Sequence, residues 1–132
     1  MTENQIAKMV VNAAFDLHKE LGPGLLESGY EILLADMLRQ GGLNVERQKP
    51  IPICFRAKKF DEGFRADLVV ENLALVELKS IESLARVHKK EVLTYLKLSG
   101  LKLGLLVNFG GELLKGNIER LVNNLEEQES DV

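Results

Sequence analysis

The sequence predicts an α/β fold, an α+β mixed sheet flanked by helices, with elements in the order α-α-β-β-β-α-β-α. Three observations lead there. Two opening segments space their apolar residues at helical intervals and stop at glycine-rich breaks. From Val45 the period shortens toward two over three short segments. A third helical pattern then precedes LKLGLLVNF, which is apolar on both faces as a central strand is. Strands with helices packed on them make one layered domain.

The elements follow in order. Thr2 and Gln5 have capping-box spacing, and Ile6, Met9, Val10, Ala13, Leu17 and Leu21 form an apolar stripe. A helix is expected over about 3–21, ended by Gly22-Pro23-Gly24. A second begins near Leu25 or Leu26, carries Tyr30, Leu33, Leu34, Met37 and Leu38, and stops at Gly41-Gly42. Val45 to Phe55 alternates loosely, and Pro50 and Pro52 restrict it to an edge strand. Lys58 to Phe60, a turn at Asp61-Glu62-Gly63 and Phe64 to Val70 read as a hairpin, which Leu73 to Lys79 extends. A third helix is expected over about 83–98, a buried strand over 101–109 and a last helix over about 118–125.

Composition sets limits. Hydrophobic residues at 45% and charged residues at 28% of 132 are those of a globular domain, here 1–125 with an acidic, disordered tail over 126–132. A chain this long buries roughly 65–70% of its unfolded surface. There is no apolar run of transmembrane length, so no membrane partner is expected. The opening MTENQIAKM lacks the order of a signal peptide, and a single cysteine fits a reducing compartment. A cytoplasmic protein is therefore expected, with Cys54 as a small buried hydrophobe. The net charge of −3 argues against a strongly electrostatic nucleic-acid binder. Four of the 20 acids lie in EEQESDV, however, which leaves the body with 17 basic and 16 acidic groups.

The stretch FRADLVVENLALVELK, residues 64–79, sets Asp67, Glu77 and Lys79 among Leu, Val and Ala. Its two strands can pair in two registers. A two-residue turn at Glu71-Asn72 would set Asp67 against Val76 and Glu77 against Ala66. A three-residue connection, Glu71-Asn72-Leu73, instead sets Ala66, Leu68 and Val70 against Leu78, Val76 and Ala74. Arg65, Asp67 and Val69 then meet Lys79, Glu77 and Leu75. A slip of one residue turns every side chain to the other face, so the second register, which separates apolar from polar, is preferred.

Asp67 and Glu77 are then like charges directly across a strand pair, a destabilising arrangement taken alone. A shared proton, a nearby cation or a metal would offset it. All-oxygen donors favour Mg²⁺ or Mn²⁺ over zinc, and a separation of ~2.0–2.1 Å from a shared Mg²⁺ fits two such carboxylates. Lys79 lies on the same face as Glu77. Equally, these are solvent-side charges with Arg65 and Lys79 as ordinary cross-strand partners.

Two motifs together resemble a known family. Gly24-Leu25-Leu26-Glu27-Ser28-Gly29-Tyr30 fits G-x-x-E-x-x-Y, and Asp67…Glu77-Leu78-Lys79 follows it. The combination is similar to the GxxExxY proteins, a branch of the PD-(D/E)XK nuclease superfamily, over nearly the whole chain. The resemblance implies a restriction-endonuclease-like core and a Mg²⁺-dependent phosphodiesterase acting on nucleic acid, DNA ahead of RNA, with Mn²⁺ as a substitute ion. It implies Asp67 and Glu77 as metal ligands, Lys79 as the group acting on the attacking water or developing charge, and Glu27 as an additional acid. Arg65, Gln48, His88, Glu91 and Tyr95 are its substrate-binding candidates. The family's third helix usually carries Gln a few residues ahead of Tyr, whereas this chain has Glu91 ahead of Tyr95. The alternative reading is a catalytically silent nuclease-fold module in protein interaction or regulation. A homodimer or partner protein would supply surface that a near-neutral body lacks.

Glu27 also suits the first turn of a helix through the dipole alone, and Tyr30 suits a packing position. His18 has no evident partner in the sequence.

Overall fold

The computed structural model describes residues 1–126. Three helices and five strands follow in the order α1 (Glu3–Leu21), α2 (Glu27–Gln40), β1 (Val45–Phe55), β2 (Lys58–Val70), β3 (Ala74–Lys79), α3 (Arg86–Ser99), β4 (Leu103–Asn108) and β5 (Ile118–Val122). The strands form one sheet in the order β1-β2-β3-β4-β5. All neighbours are antiparallel except β3 and β4, which α3 connects as a parallel pair. The expectation of a disordered tail falls on residues outside those described, Glu126 apart.

Local chemistry explains the helices. The Thr2 hydroxyl accepts from the Gln5 amide at 3.2 Å and the Gln5 side chain accepts from Thr2 N–H at 2.9 Å, the reciprocal capping box. Ile6, Val10, Ala14 and Leu17 on α1 and Tyr30, Leu34 and Leu38 on α2 then bury one stripe each. Both stripes lie on one sheet face with Leu68, Val70, Ala74, Val76, Leu103, Leu105 and Val107. The opposite face is covered by α3, whose Val92 and Leu96 pack with Val69, Leu75 and Leu106. Gly104 makes that approach possible, since a Cβ there would stand 2.8 Å from the Val92 Cγ1. Helices on both faces make β4 wholly buried, as its sequence anticipates.

The structure departs from the sequence reading at three places. Residues 118–122 form strand β5, not the start of a helix. Ile118, Leu121 and Val122 suit a helical stripe, but Ile118 joins one core cluster and Leu121 the other, a period of two. Pairing of Leu103 with Val122 through Val107 with Ile118 covers the edge that β4 would otherwise expose. The second departure is the hairpin turn, which lies at Arg56-Ala57, both with positive φ (50° and 60°), while Asp61–Gly63 lie within β2. Gly63 serves an irregularity in the ladder between Ile51 and Ile53: a Cβ on it would lie 1.9 Å from the Ile51 carbonyl oxygen. Third, Cys54 is exposed, because the end of this hairpin extends past the helices that would cover it.

Candidate metal and nuclease site

The β2–β3 register is the one that separates apolar from polar side chains: Leu68 pairs with Val76, Val69 with Leu75 and Val70 with Ala74. Residues 71–73 connect the strands, closed by Leu73 N–H donating to Val70 O at 3.0 Å. Glu71 and Asn72 have φ of 55° and 53°, a conformation that Asn tolerates and that is unfavourable for Glu. Long-range bonds hold them there. The Glu71 carboxylate accepts from Asn44 N–H at 2.6 Å, and the Asn72 side chain accepts from the Lys49 ammonium at 2.9 Å.

The main-chain ladder gives out at the next residues, Asp67 and Glu77. Here side chains take over from carbonyls. Asp67 Oδ2 accepts from Leu78 N–H at 2.8 Å, and Glu77 Oε1 accepts from Asp67 N–H at 3.3 Å. The strands fork around two carboxyl groups. The expected facing pairs Ala66–Leu78 and Arg65–Lys79 do not form rungs. Beyond the fork the alternation shifts, and Ala66 packs with Ile51 and Phe64 in the cluster under α3. Each carboxyl group takes a main-chain donor that a regular rung would use.

Glu77 is 9% exposed, and its carboxyl is pushed from an ordinary 4.5 up to about 8. Burial is the main cause, followed by the negative charge of Asp67. The Asp67 N–H bond and the Lys79 ammonium act the other way but do not cancel it. A side-chain interaction with the Asp67 carboxyl adds to the rise, so burial and Asp67 together draw Glu77 toward its protonated form. The fork thus holds an uncompensated negative site, with a proton standing in for a cation.

Other elements aim polar groups at it. Gln48 of β1 has φ 49° and falls in a gap between the rungs Arg47–Leu68 and Lys49–Ala66. Its side-chain amide donates to Asp67 Oδ1 at 3.2 Å and to Glu31 Oε1 at 2.6 Å. Arg65 donates to the Gln48 carbonyl at 3.1 Å, which fixes the unusual backbone rather than balancing Asp67. From α3, Tyr95 stacks on Phe64 with ring centroids 4.0 Å apart. Its phenol is held above the ordinary 10.0 by burial first, then by the charges of Glu91, Glu77 and Asp67. Glu91, one turn earlier, is exposed. His88 Nδ1 accepts from Ala85 N–H at 2.8 Å, so it caps the start of α3.

Lys79 lies two residues beyond Glu77 on the same strand face and acts on its carboxyl through space. No ion pair engages Lys79 among the described residues. Glu27 opens α2, is exposed, and lines a crevice with Leu26, Ser28, Ser80 and Ile81. The structure therefore sets Glu27 beside the strand end that follows Lys79 but does not bring it to the carboxyl pair. Among the described residues no group of three or more His, Cys, Asp or Glu side chains gathers as a metal cage would.

A model of the PD-(D/E)XK nuclease superfamily matches residues 4–121, from α1 into β5. The chain belongs to the PD-(D/E)XK nuclease superfamily. No curated protein and no solved structure gives a match. The mixed sheet with helices on both faces fits the restriction-endonuclease-like fold of that superfamily.

Within this PD-(D/E)XK fold, three buried polar groups escaped the sequence reading, Glu31, His18 and Asn108, the last bonded to both the N–H and the carbonyl of Ile81. Glu31 is 5% exposed and joins Arg47, at 3.0 Å, to Gln48 and so to Asp67. Its signal was an acid on the buried stripe of α2 between Tyr30 and Leu34. His18 is 7% exposed, with Nε2 2.8 Å from the Gly111 carbonyl oxygen, a contact across 93 residues that no local pattern announces. Tyr30 is a packing residue as expected: wholly buried, it stacks on Phe109, donates to the Gly22 carbonyl and accepts from Leu25 N–H.

Proposed function

We propose that the protein is a Mg²⁺-dependent nuclease that hydrolyses phosphodiester bonds in DNA, with Mn²⁺ able to replace Mg²⁺. The observation that carries this reading is the fork itself. Asp67 and Glu77 converge where the β2–β3 ladder fails, and Lys79 projects from the same strand face. The donor set fits a hard divalent ion: two convergent carboxyl groups, with no His or Cys gathered beside them among the described residues. Magnesium keeps several waters and is commonly held through one or two carboxylates, as this pair would hold it.

When bound, such an ion supplies Lewis acidity toward the phosphate and a more acidic water. The chain does the rest. Asp67 and Glu77 present ligand oxygens, and Glu77 gives up its proton to do so. Lys79 offers its ammonium to a phosphate oxygen or to the developing charge of displacement. Gln48 acts as a positioning residue: its amide fixes the Asp67 carboxylate, and Glu31 with Arg47 fixes Gln48. Tyr95 presents a protonated phenol at the mouth. Glu27, in the crevice beside Ser80, is the outer acid, and the GxxExxY assignment of its motif belongs to this proposal.

Cleavage assays on single- and double-stranded DNA and RNA with Mg²⁺ or Mn²⁺ test the reading. DNA should be cut, Lys79→Ala should reduce the rate at least about 100-fold, and Glu77→Ala should also remove the stabilisation by Mn²⁺ in thermal melts. Intact nucleic acids in every arm, together with unchanged melts, would overturn it.

A further inference from the structure

We infer that the arm formed by the end of β1 and the start of β2 docks a single-stranded polynucleotide, with phosphates on its cations and unpaired bases on its exposed rings. The inference rests on the nuclease reading only for where the docked strand leads. Docking itself needs neither metal nor cleavage.

Every residue from Cys54 to Asp61 is exposed, so this hairpin stands clear of both core clusters. Its composition differs from the rest of the chain. Residues 47–60 hold five cations and no acid, in a protein of net charge −3. Two of the five are engaged: Arg47 with Glu31 and Lys49 with Glu46. Among the described residues Arg56, Lys58 and Lys59 have no ion pair, and Asp61 is the acid that follows them. Concentrated, unpaired positive charge on an otherwise acidic protein suits a polyanion.

The arm also carries aromatic surface. Phe55 is 57% exposed and Phe60 43%; of the other three phenylalanines only Phe15, on α1, is comparably exposed. Each ring already carries a cation. The Arg56 guanidinium lies 5.4 Å from the Phe55 centroid, and the Lys58 ammonium 5.5 Å from that of Phe60. Exposed rings interleaved with cations are the elements that bind single strands, because every unpaired base offers a π-face while the backbone takes the charges. A duplex hides its base faces and would use only the cations.

The arm also has a defined base. Phe55 pairs with Lys58 and Ile53 with Phe60, and beyond the irregular rung buried Ile51 pairs with half-buried Phe64. Phe64 stacks on Tyr95 and stands three residues before Asp67 on β2. The base of the arm therefore adjoins the carboxyl fork, and a strand docked on the exposed residues 54–60 lies on the same hairpin as Asp67.

The test is fluorescence anisotropy in EDTA, so that nothing is cut, with labelled oligo(dT), oligo(U) and a DNA duplex of equal length. Wild type should bind both single strands more tightly than the duplex, and the ratio of the first two distinguishes a DNA from an RNA ligand. Phe55→Ala/Phe60→Ala should weaken single-strand binding at least about fivefold per ring and leave duplex binding within about twofold. Lys58→Gln/Lys59→Gln should weaken all three and flatten the log–log salt dependence for single strands by about 1.4. Neither variant should alter the Mn²⁺ shift in thermal melts, whereas Glu77→Gln should lose that shift and keep oligonucleotide binding. Equal single-strand affinity in wild type and both arm variants would overturn the inference and leave the nuclease reading intact. So would a wild-type dimer, seen by sedimentation, that Phe55→Ala/Phe60→Ala converts to monomers, since the rings would then be a protein interface.

Discussion

The strongest test of the carboxyl fork needs no substrate. In the unfolded chain the Glu77 carboxyl titrates near its ordinary 4.5, and in the folded protein near about 8. Between those values the folded state holds a proton that the unfolded state has released. Raising the pH therefore favours unfolding. The stabilisation is complete below about pH 4.5, falls through the window and is gone above about 8. At about 1.4 kcal/mol per pH step, the whole interval is worth about 5 kcal/mol as an upper bound. That is a large part of the 5–15 kcal/mol of an ordinary domain. Urea denaturation in EDTA at about pH 5, 7 and 8.5 should show wild type losing stability steadily. Glu77→Gln keeps the shape of the side chain and removes the charge. It should be flatter across the range and more stable than wild type at pH 8.5. Saturating Mn²⁺ should reverse the wild-type trend, with release of close to one proton per ion at pH 7, measured by calorimetry in two buffers of different ionisation enthalpy. Equal wild-type stability at pH 5 and 8.5, or the same slope in Glu77→Gln, would refute the fork as described.

Further expectations concern the groups around it. Glu31→Ala leaves the Arg47 guanidinium and the Gln48 amide without their shared partner and should cost about 1–3 kcal/mol by urea titration, with Glu31→Gln recovering part of it. Tyr30→Phe deletes the hydroxyl that joins Gly22 to Leu25 while keeping the stack on Phe109; a loss of about 1–2 kcal/mol is expected in the same measurement. Gly104→Ala forces a methyl against Val92 and Leu96 and should cost about 1–3 kcal/mol, seen as a lower Tm. Lys79→Ala, at a half-buried position that belongs to neither core cluster, should melt as wild type does and still respond to Mn²⁺, so that any loss of cleavage is chemical.

Much of this molecule was legible in one dimension because its signals are local. The capping box at Thr2 and Gln5, the glycine stops and the prolines of β1 act through neighbours in sequence, and each element they mark is present. The β2–β3 register was legible for the same reason, since a period of two leaves one pairing that separates Leu68, Val76 and Ala74 from Asp67 and Glu77. Residues 118–122 were not legible. Ile118, Leu121 and Val122 satisfy helix and strand spacing alike, and the open edge of β4 decides between them. The turn at Arg56-Ala57 was missed because neither residue is one that positive φ favours, while the nearby Asp61-Glu62-Gly63 is typical turn chemistry used for an irregular rung. Glu31 and His18 depend on partners 16 or more residues away, and pattern reading has no access to those.

Alone, the order of residues settled the three helices, the strands from Val45 to Asn108 apart from their hairpin turn, and which two acids share a strand pair, because those outcomes follow from propensity and periodicity. Only the assembled molecule decided that the pair sits where the ladder parts, that Gln48 and Glu31 steady it, and that one carboxyl keeps its proton. Desolvation and charge proximity are properties of a volume, and a linear chain has none until it folds.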